Sequence, residues 1–498
     1  MAIVTLLPNG SRSPGRVGLR TVVVGAGEAG QALARDLLRV PEFGLTPVGF
    51  LDDDPAKLGD GRLARLGCLA DTGTVVLAQA IEVVVVAIPG LSAQRFHQVS
   101  AAAATAGASV RYLPSFIAAL RRDVVGSDMR TLDVYGLIGR SEMHVVSPEA
   151  RSTVAGRRVL VTGAGGSIGT ELCRQVRGFG PSRLFLLDHD ESNLHRLQLE
   201  LDGQALLDDD DIVISDIRDR ARIDQIFRDL RPDVVFHAAA HKHLPLLERH
   251  PCEGVKSNVM GTDHLVNAAI ATGVERFVLI STDKAADPVS VLGATKRLAE
   301  LIVQTHAAGP PAFAAVRFGN VLGSRGSLLS VLAEQLCSGA PVTVTHPDVA
   351  RFFMTVEEAV GLVLEAARMT TGGDVFVLDM GEEVRIVDLV RKFAQQVNVP
   401  DVEIRFTGLR SGEKLNETLF SRHEECVPTG HRRIFATRTS SHTNLAALRR
   451  GLSALCAAAQ RNDSAEVRRW LGRLLPEFPA VATPEHVPAL AAPYPDYF

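Results

Sequence analysis

Two stretches of this chain open in the same way: RTVVVGAGEAG at residues 20–30 and RRVLVTGAGGSIG at residues 157–169, each an aliphatic run that stops at a cluster of glycines. No other feature narrows the fold so far. A hydrophobic strand that enters a glycine turn and then a helix brings backbone N–H groups to a helix N-terminus, and larger side chains in that turn would block a bound anion. After each opening come a helix-like stretch (Gln31–Leu38, Thr170–Val176) and a second strand ending in acid, GFLDDD at 49–54 and LFLLDHDE at 184–191. Strands that alternate with helices imply parallel sheets covered on both faces. The expected fold class is α/β, with two Rossmann-like, doubly wound parallel-sheet domains.

A chain of 498 residues exceeds what one core usually holds. We place a first domain at 18–140, with later strands at Val83–Ile88 and Ser109–Leu113, then a linker over 141–156 containing Pro148 and Gly156. The second domain spans 157–435, with strands at Val159–Thr162, Leu184–Asp188, Ile212–Ser215, Val234–His237, Phe277–Ser281 and Ala314–Arg317. Residues 436–498 form an extension that reads as helical through Asn444–Leu475 and Pro-rich beyond.

Composition excludes several classes. A formal net charge of −4 with no run of Lys and Arg argues against a broad electrostatic grip on nucleic acid or an anionic membrane. No stretch approaches the ~18–20 apolar residues of a spanning helix. The N-terminal twenty residues are too weakly apolar for a signal peptide, so a cytoplasmic location is expected. The six cysteines lie far apart, with no CxxC and no His at ligand spacing, and read as buried small hydrophobes, with no metal expected.

The two glycine loops differ in support. The first, Gly25, Gly27 and Gly30, is followed 22 residues later by Asp52, a spacing that suits a ribose-binding acid. No acid–base pair or nucleophile accompanies it, so a regulatory nucleotide domain and a scaffold without ligand both remain open. The second loop carries Gly163, Gly166 and Gly169, with Ser167 and Ile168 between them. Asp188 lies 19 residues beyond Gly169 at a strand end, placed to bond an adenosine ribose. His189 follows it, which leaves NAD and NADP both open. Asp216, with Ile217 beside it, ends the third strand and is a candidate for the adenine amine. Ala238 and Ala239 end the fourth, leaving room for a dinucleotide.

The chemistry-bearing stretch is STDKAADPVSVLGATK at 281–296. It sets a hydroxyl (Thr282), a carboxyl (Asp283) and an amine (Lys284) at a strand's C-terminal end, the ligand side of an open α/β sheet. Lys296 follows twelve residues after Lys284, at a helix start.

Taken with HAAAHKHLPLLE (237–248), SNVMGT (257–262), VRFGNVLGSRGS (316–327), VTVTHPDVARFFMT (342–355), FVLDMGE (376–382) and GLRSGEKLNETL (408–419), these segments resemble the CapD-like nucleotide-sugar 4,6-dehydratases of bacterial polysaccharide and glycan biosynthesis, a branch of the extended short-chain dehydrogenases. The similarity runs from 18 to about 425 and implies a small substrate-binding subdomain in the second domain. There are two departures. Relatives of this two-domain length generally carry transmembrane helices ahead of the first domain, and their absence here reads as a shortened form. In the YxxxK pair of short-chain dehydrogenases the Tyr position is Leu292, four before Lys296, and leucine cannot carry a proton.

The resemblance implies a tightly held, recycled NAD or NADP and a UDP-sugar, above all UDP-N-acetylglucosamine. Hydride leaves C4, a base removes the C5 proton as water leaves C6, and hydride returns to C6. The roles that follow are Lys284 as C5 base with a lowered pKa, a protonated Asp283 as donor to the C6 hydroxyl, Thr282 at O4, and Lys296 on the nicotinamide ribose. Ser257 and Lys242 join the cofactor side. Lys242, Asn320, Ser327, Arg351, Arg410 and Glu413 are the candidates for the substrate, the two arginines facing its diphosphate. A homo-oligomer is expected. The rivals are a 4-epimerase or 4-keto reductase and a non-catalytic NAD(P) sensor.

Overall fold

The computed structural model describes residues 18–39, 44–57, 63–88, 91, 93–112, 146–203, 206–207, 209–306, 310–323, 328–337, 341–396, 401–439 and 445–479. The chain divides into two compact units, residues 1–143 and, apart from a short stretch at 393–399, residues 144–498.

The first unit is built on β1 (Leu19–Val24), β2 (Leu45–Leu51), β3 (Arg65–Gly67), β4 (Val83–Val86) and β5 (Ser109–Tyr112), in the order β3-β2-β1-β4-β5. All of its pairings are parallel. Valine runs suit these strands because both faces are buried: Val22, Val24, Val84 and Val86 pack on one side, Val23, Val83 and Val85 on the other. Leu113, which the sequence reading added to β5, lies outside the described residues.

The second unit holds a nine-stranded sheet of β6 (Arg158–Thr162), β7 (Arg183–Asp188), β8 (Ile212–Ile214), β9 (Val234–His237), β10 (Arg276–Ile280), β11 (Ala312–Arg317), β12 (Asp374–Leu378), β13 (Glu424–Pro428) and β14 (Ile434–Thr439). The spatial order is β13-β14-β12-β11-β10-β9-β6-β7-β8. The pairings are parallel from β8 to β12, and the β13–β14 hairpin adds antiparallel to that edge. Alternate residues feed two cores: Leu160, Phe185, Val235, Phe277 and Leu279 on one face, Val161, Leu186, Phe236, Val278 and Ile280 on the other. Three two-stranded ribbons lie outside the sheet: Asn320–Leu322 with Phe353–Thr355, Val342–Val344 with Ile404–Phe406, and Ala350–Arg351 with Val384–Arg385.

Two local features differ from the sequence reading. The second half of the stretch read as linker is packed: Ser147 caps a short helix, Pro148–Ser152, and Val146, Ala150 and Val154 enter the core. Ser–Pro is a helix-starting pair, and the spacing of four puts the apolar residues on one face. Beyond 435, β14 continues to Thr439, and the helices Leu445–Gln460 and Ser464–Leu474 place Leu455, Ala458, Val467 and Leu471 in the same core as Phe277. The Pro-rich tail lies outside the described residues. Among the described residues, no helix is long and apolar enough to cross a membrane.

Candidate active site

In the second unit, β6 and β9 are neighbours whose following connections cover opposite faces, and the crevice at their C-terminal ends is where open α/β sheets take ligands. Gly163 leaves β6 at φ +67°, and a Cβ there would stand 2.6 Å from Ala239 N, so turn and strand end touch backbone to backbone. A Cβ on Gly169 would lie 2.0 Å from Gly163 O, which lets the helix Ser167–Arg177 sit directly on the turn. The N-cap is Gly166, so no side chain closes the start of that helix. Gly163→Ala is expected to lower the thermal midpoint by several degrees, since neither the dihedral nor the backbone clash relaxes cheaply; an unchanged midpoint would contradict this packing.

Asp188 is buried and holds the turn itself. Its Oδ2 accepts from Gly165 N–H at 2.9 Å and keeps a lone pair for a hydroxyl, while its Oδ1 accepts from Asp190 N–H at 3.1 Å and lies 3.2 Å from His189 Nδ1. The first unit repeats this construction: Asp52 accepts from Ala26 N–H at 2.8 Å and Asp54 N–H at 3.0 Å. Burial works against the Asp52 charge, but those bonds and Lys57 outweigh it and hold the carboxyl below its usual range. Asp216 is instead gripped by Arg218, with Nε at 2.8 Å and Nη2 at 2.6 Å, and Arg218 also meets Glu253 at 3.0 Å. Ile217 is buried against Gly261, Ala238 and Ala239 are half-buried, Ser257 is buried, and Lys242 is exposed. The sequence reading passed over Asn258. It accepts from His241 N–H at 2.9 Å and donates to His241 O and Thr295 Oγ1, both at 3.1 Å, which ties the loop after β9 to the helix Val291–Gln304. Its only signal was its place in SNVMGT.

Beyond β10 the chain makes a 3₁₀ turn, Asp283–Ala285, with Thr282 at its N-cap. Thr282 Oγ1 donates to Asp283 Oδ1 at 2.9 Å; Lys284 Nζ donates to the same oxygen at 3.0 Å and to Asn320 Oδ1 at 3.3 Å. The trio therefore does come together, on one carboxylate oxygen. Asp283 is 0% exposed beneath Thr282 and Lys284; its Oδ2 has no hydrogen-bond partner, and a Cβ on Gly319 would stand 2.9 Å from it. The Lys284 ammonium, expected below its normal pKa, is held above it: burial works against the charge, but Asp283 and then Glu417 outweigh burial. The sequence reading counted burial alone. Lys296 is buried with Nζ donating to Ile280 O at 2.6 Å, and burial lowers it to about 8 against the pull of Glu300. Leu292 is buried in the core.

Glu417 was missed. Its side chain is 3% exposed, with Oε1 at 3.8 Å from Lys284 Nζ and Oε2 at 3.8 Å from Lys414 Nζ. Burial raises its pKa and Asp283 adds to the rise, while Lys284 pulls the other way. Arg351, expected on a diphosphate, is buried and committed. Nη1 donates to Ala350 O at 2.7 Å and Leu415 O at 2.9 Å, Nη2 to Lys414 O at 2.9 Å and Glu413 Oε1 at 3.1 Å. It pins the 413–415 loop to its own ribbon. Glu413 also accepts from Thr345 Oγ1 at 2.9 Å and from Arg410 N–H at 3.1 Å, and so shapes the loop that carries the exposed Arg410. Asn320 meets Lys284. Ser327 lies outside the described residues.

Behind the trio lies a buried charge network. Glu300 accepts from Ser281 Oγ at 2.6 Å and from Arg317 Nε and Nη2, both at 2.7 Å; Arg317 Nη1 reaches Glu424 at 2.6 Å, and Arg297 meets Glu300 at 3.0 Å. Burial opposes the Glu300 charge, but Arg317 overrides it and brings the carboxyl down to about 2.

The family model described as polysaccharide biosynthesis protein matches residues 159–439. The chain belongs to that family. The probable polysaccharide biosynthesis protein EpsC of Bacillus subtilis is 40% identical over 414 residues, which cover 81% of this chain and 69% of EpsC. An inverting UDP-N-acetylglucosamine 4,6-dehydratase of Campylobacter jejuni is 30% identical over 271 residues, covering 53% of this chain and 78% of its own length. UDP-glucose 4-epimerases of Rickettsia reach 31% over a similar length. The X-ray structure of Pen from Bacillus thuringiensis gives a TM-score of 0.53 at 30% identity, covering 58% of this chain and 89% of Pen.

Proposed function

We propose that the protein is an NAD-dependent 4,6-dehydratase acting on a UDP-sugar, with UDP-N-acetylglucosamine as the first substrate to test. One observation carries the reading: a closed proton relay at the end of β10, in a site with leucine where a single proton-carrying tyrosine would stand. Epimerisation moves one proton on and off O4, whereas dehydration also moves protons at C5 and C6. A site with two carboxyls around one amine fits the second demand better. Identity does not separate the readings, since dehydratases and epimerases match almost equally.

The residues present fit a dinucleotide. The glycine turn leaves no side chain between backbone and pyrophosphate, the uncapped helix start faces the crevice, Asp188 has acceptor capacity for a ribose, and Lys296 is buried beside β10. When bound there, NAD would supply the hydride storage that links C4 and C6. The chain does the rest. Thr282 takes the C4 hydroxyl proton and passes its own to Asp283 across 2.9 Å, which answers how a site without Tyr deprotonates O4. The same proton, returned through Thr282, is the one the departing C6 hydroxyl needs. Lys284 removes the C5 proton and later restores it.

Incubation of the protein with UDP-N-acetylglucosamine and NAD, followed by proton NMR, is expected to show a C6 methyl doublet and a 4-keto product. A C4 epimer without a methyl doublet would support the epimerase reading instead.

A further inference from the structure

The dehydratase reading leaves one step short of a partner. Lys284 is the group set to take the C5 proton, yet at rest it is an ammonium that donates to Asp283 Oδ1 and Asn320 Oδ1, at 3.0 and 3.3 Å. An ammonium accepts no proton. Something must first receive one from it, inside a site almost closed to water, since the Lys284 side chain is only 17% exposed and Asp283 is sealed.

We infer that Glu417 is that acceptor: it takes a proton from Lys284 Nζ onto Oε1 when a sugar occupies the cleft, and gives it back when turnover ends. The geometry supports this in three ways. Glu417 Oε1 lies 3.8 Å from Lys284 Nζ, so a side-chain adjustment of about an ångström makes a hydrogen bond. The carboxyl is buried, and among the described residues its Oε2 has no hydrogen-bond partner, with Lys414 Nζ at 3.8 Å. It is therefore held far less firmly as a carboxylate than Glu300, which Arg317 grips through two hydrogen bonds. Its neighbours are Asp283 and Lys284 from the turn after β10, Lys414 from its own loop, Arg351 from its ribbon, and Glu383, whose carboxyl accepts from Glu417 N–H.

Timing follows from the charges. Asp283 is the strongest support of the Lys284 ammonium. Once the C4 hydroxyl proton has passed through Thr282 to Asp283, that support is gone, while burial continues to favour a neutral Glu417. The N–H bond of Lys284 then breaks, an O–H bond forms on Glu417, and the free amine faces C5. The transfers from Lys284 to Glu417 and from C5 to Lys284 both reverse before release, and the O4 proton leaves in the expelled water, so the protein neither gains nor loses a proton. Glu417 is a positioning residue here, since it acts through Lys284 and does not touch the sugar.

The test uses the full chain with NAD and UDP-N-acetylglucosamine, in deuterium oxide. Wild-type protein that forms no 4-keto-6-deoxy product removes the dehydratase reading itself. Given wild-type turnover, Glu417→Gln is expected to retain C4 oxidation, read as absorbance at 340 nm in a single turnover. Deuterium entry at C5 is expected to slow at least ~100-fold. Glu417→Asp is expected to recover part of that loss. Unchanged C5 exchange in Glu417→Gln overturns the inference. So does an equal loss of the 340 nm signal and the exchange, which would mark a structural role. If Glu417→Gln does not fold, the Asp variant decides: C5 exchange at the wild-type rate overturns the inference, and at least a ~10-fold drop with C4 oxidation intact supports it.

Discussion

Lys284→Ala is expected to lower kcat by about a thousand-fold while the protein stays folded and keeps its cofactor. The size follows from its position, because among the described residues no other amine hydrogen-bonds Asp283, and Lys414 is turned to Glu417 and Ala286 O. The pattern matters more than the size. C4 oxidation runs through Thr282 and Asp283, so the variant should still develop absorbance at 340 nm on mixing with substrate, and then stop. Thr282→Val removes the 2.9 Å link to Asp283 and should suppress even that first signal. A modest stability loss, about 1–3 kcal/mol, accompanies Lys284→Ala, because Asp283 keeps its burial and loses its charged partner. Near-wild-type turnover in this variant would refute the assignment of the β10 end as the reacting site.

Arg317→Ala is expected to cost on the order of 3–5 kcal/mol. The guanidinium is 0% exposed and binds Glu300 and Glu424 each through two hydrogen bonds. Removing it leaves both acids in the interior with Arg297 to share between them. For a unit of this size that corresponds to a fall in thermal midpoint of roughly 5 °C. Lysine at the same position would not restore it, since one ammonium cannot replace a planar fork. The network also sets an acid limit. The Glu300 carboxyl is depressed from 4.5 to about 2, so its contribution is complete above about pH 4.5 and disappears as pH falls toward 2. The Arg317→Ala protein should lose that part of its acid sensitivity. An unshifted midpoint at neutral pH would contradict the network.

Much of the fold was legible because parallel strands buried on both faces must be aliphatic throughout. Val83–Val86 and Val159–Val161 could be read for that reason, and the glycine turns marked where each sheet begins. The β13–β14 hairpin, an edge element of mixed polarity (EECVP, IFATRT), carried no such pattern. The site was legible where one short segment supplies it, as with Thr282, Asp283 and Lys284. It was illegible where residues far apart in sequence meet. Glu417 comes from a loop remote from β10, and it adds to Asp283 in holding the Lys284 charge against burial. Glu300, Arg317 and Glu424 are far apart in sequence, and only the fold brings them together. Arg351 looked like a phosphate ligand because nothing in the sequence reveals that four carbonyl and carboxylate oxygens already occupy it.

The central claim is that this β10 relay drives dehydration, with the C4 hydrogen delivered to C6 of the same sugar. The direct measurement is turnover of UDP-N-acetylglucosamine deuterated at C4, with product followed by deuterium NMR. Deuterium in the C6 methyl group is the predicted result; deuterium retained at C4 of an epimerised sugar would contradict it.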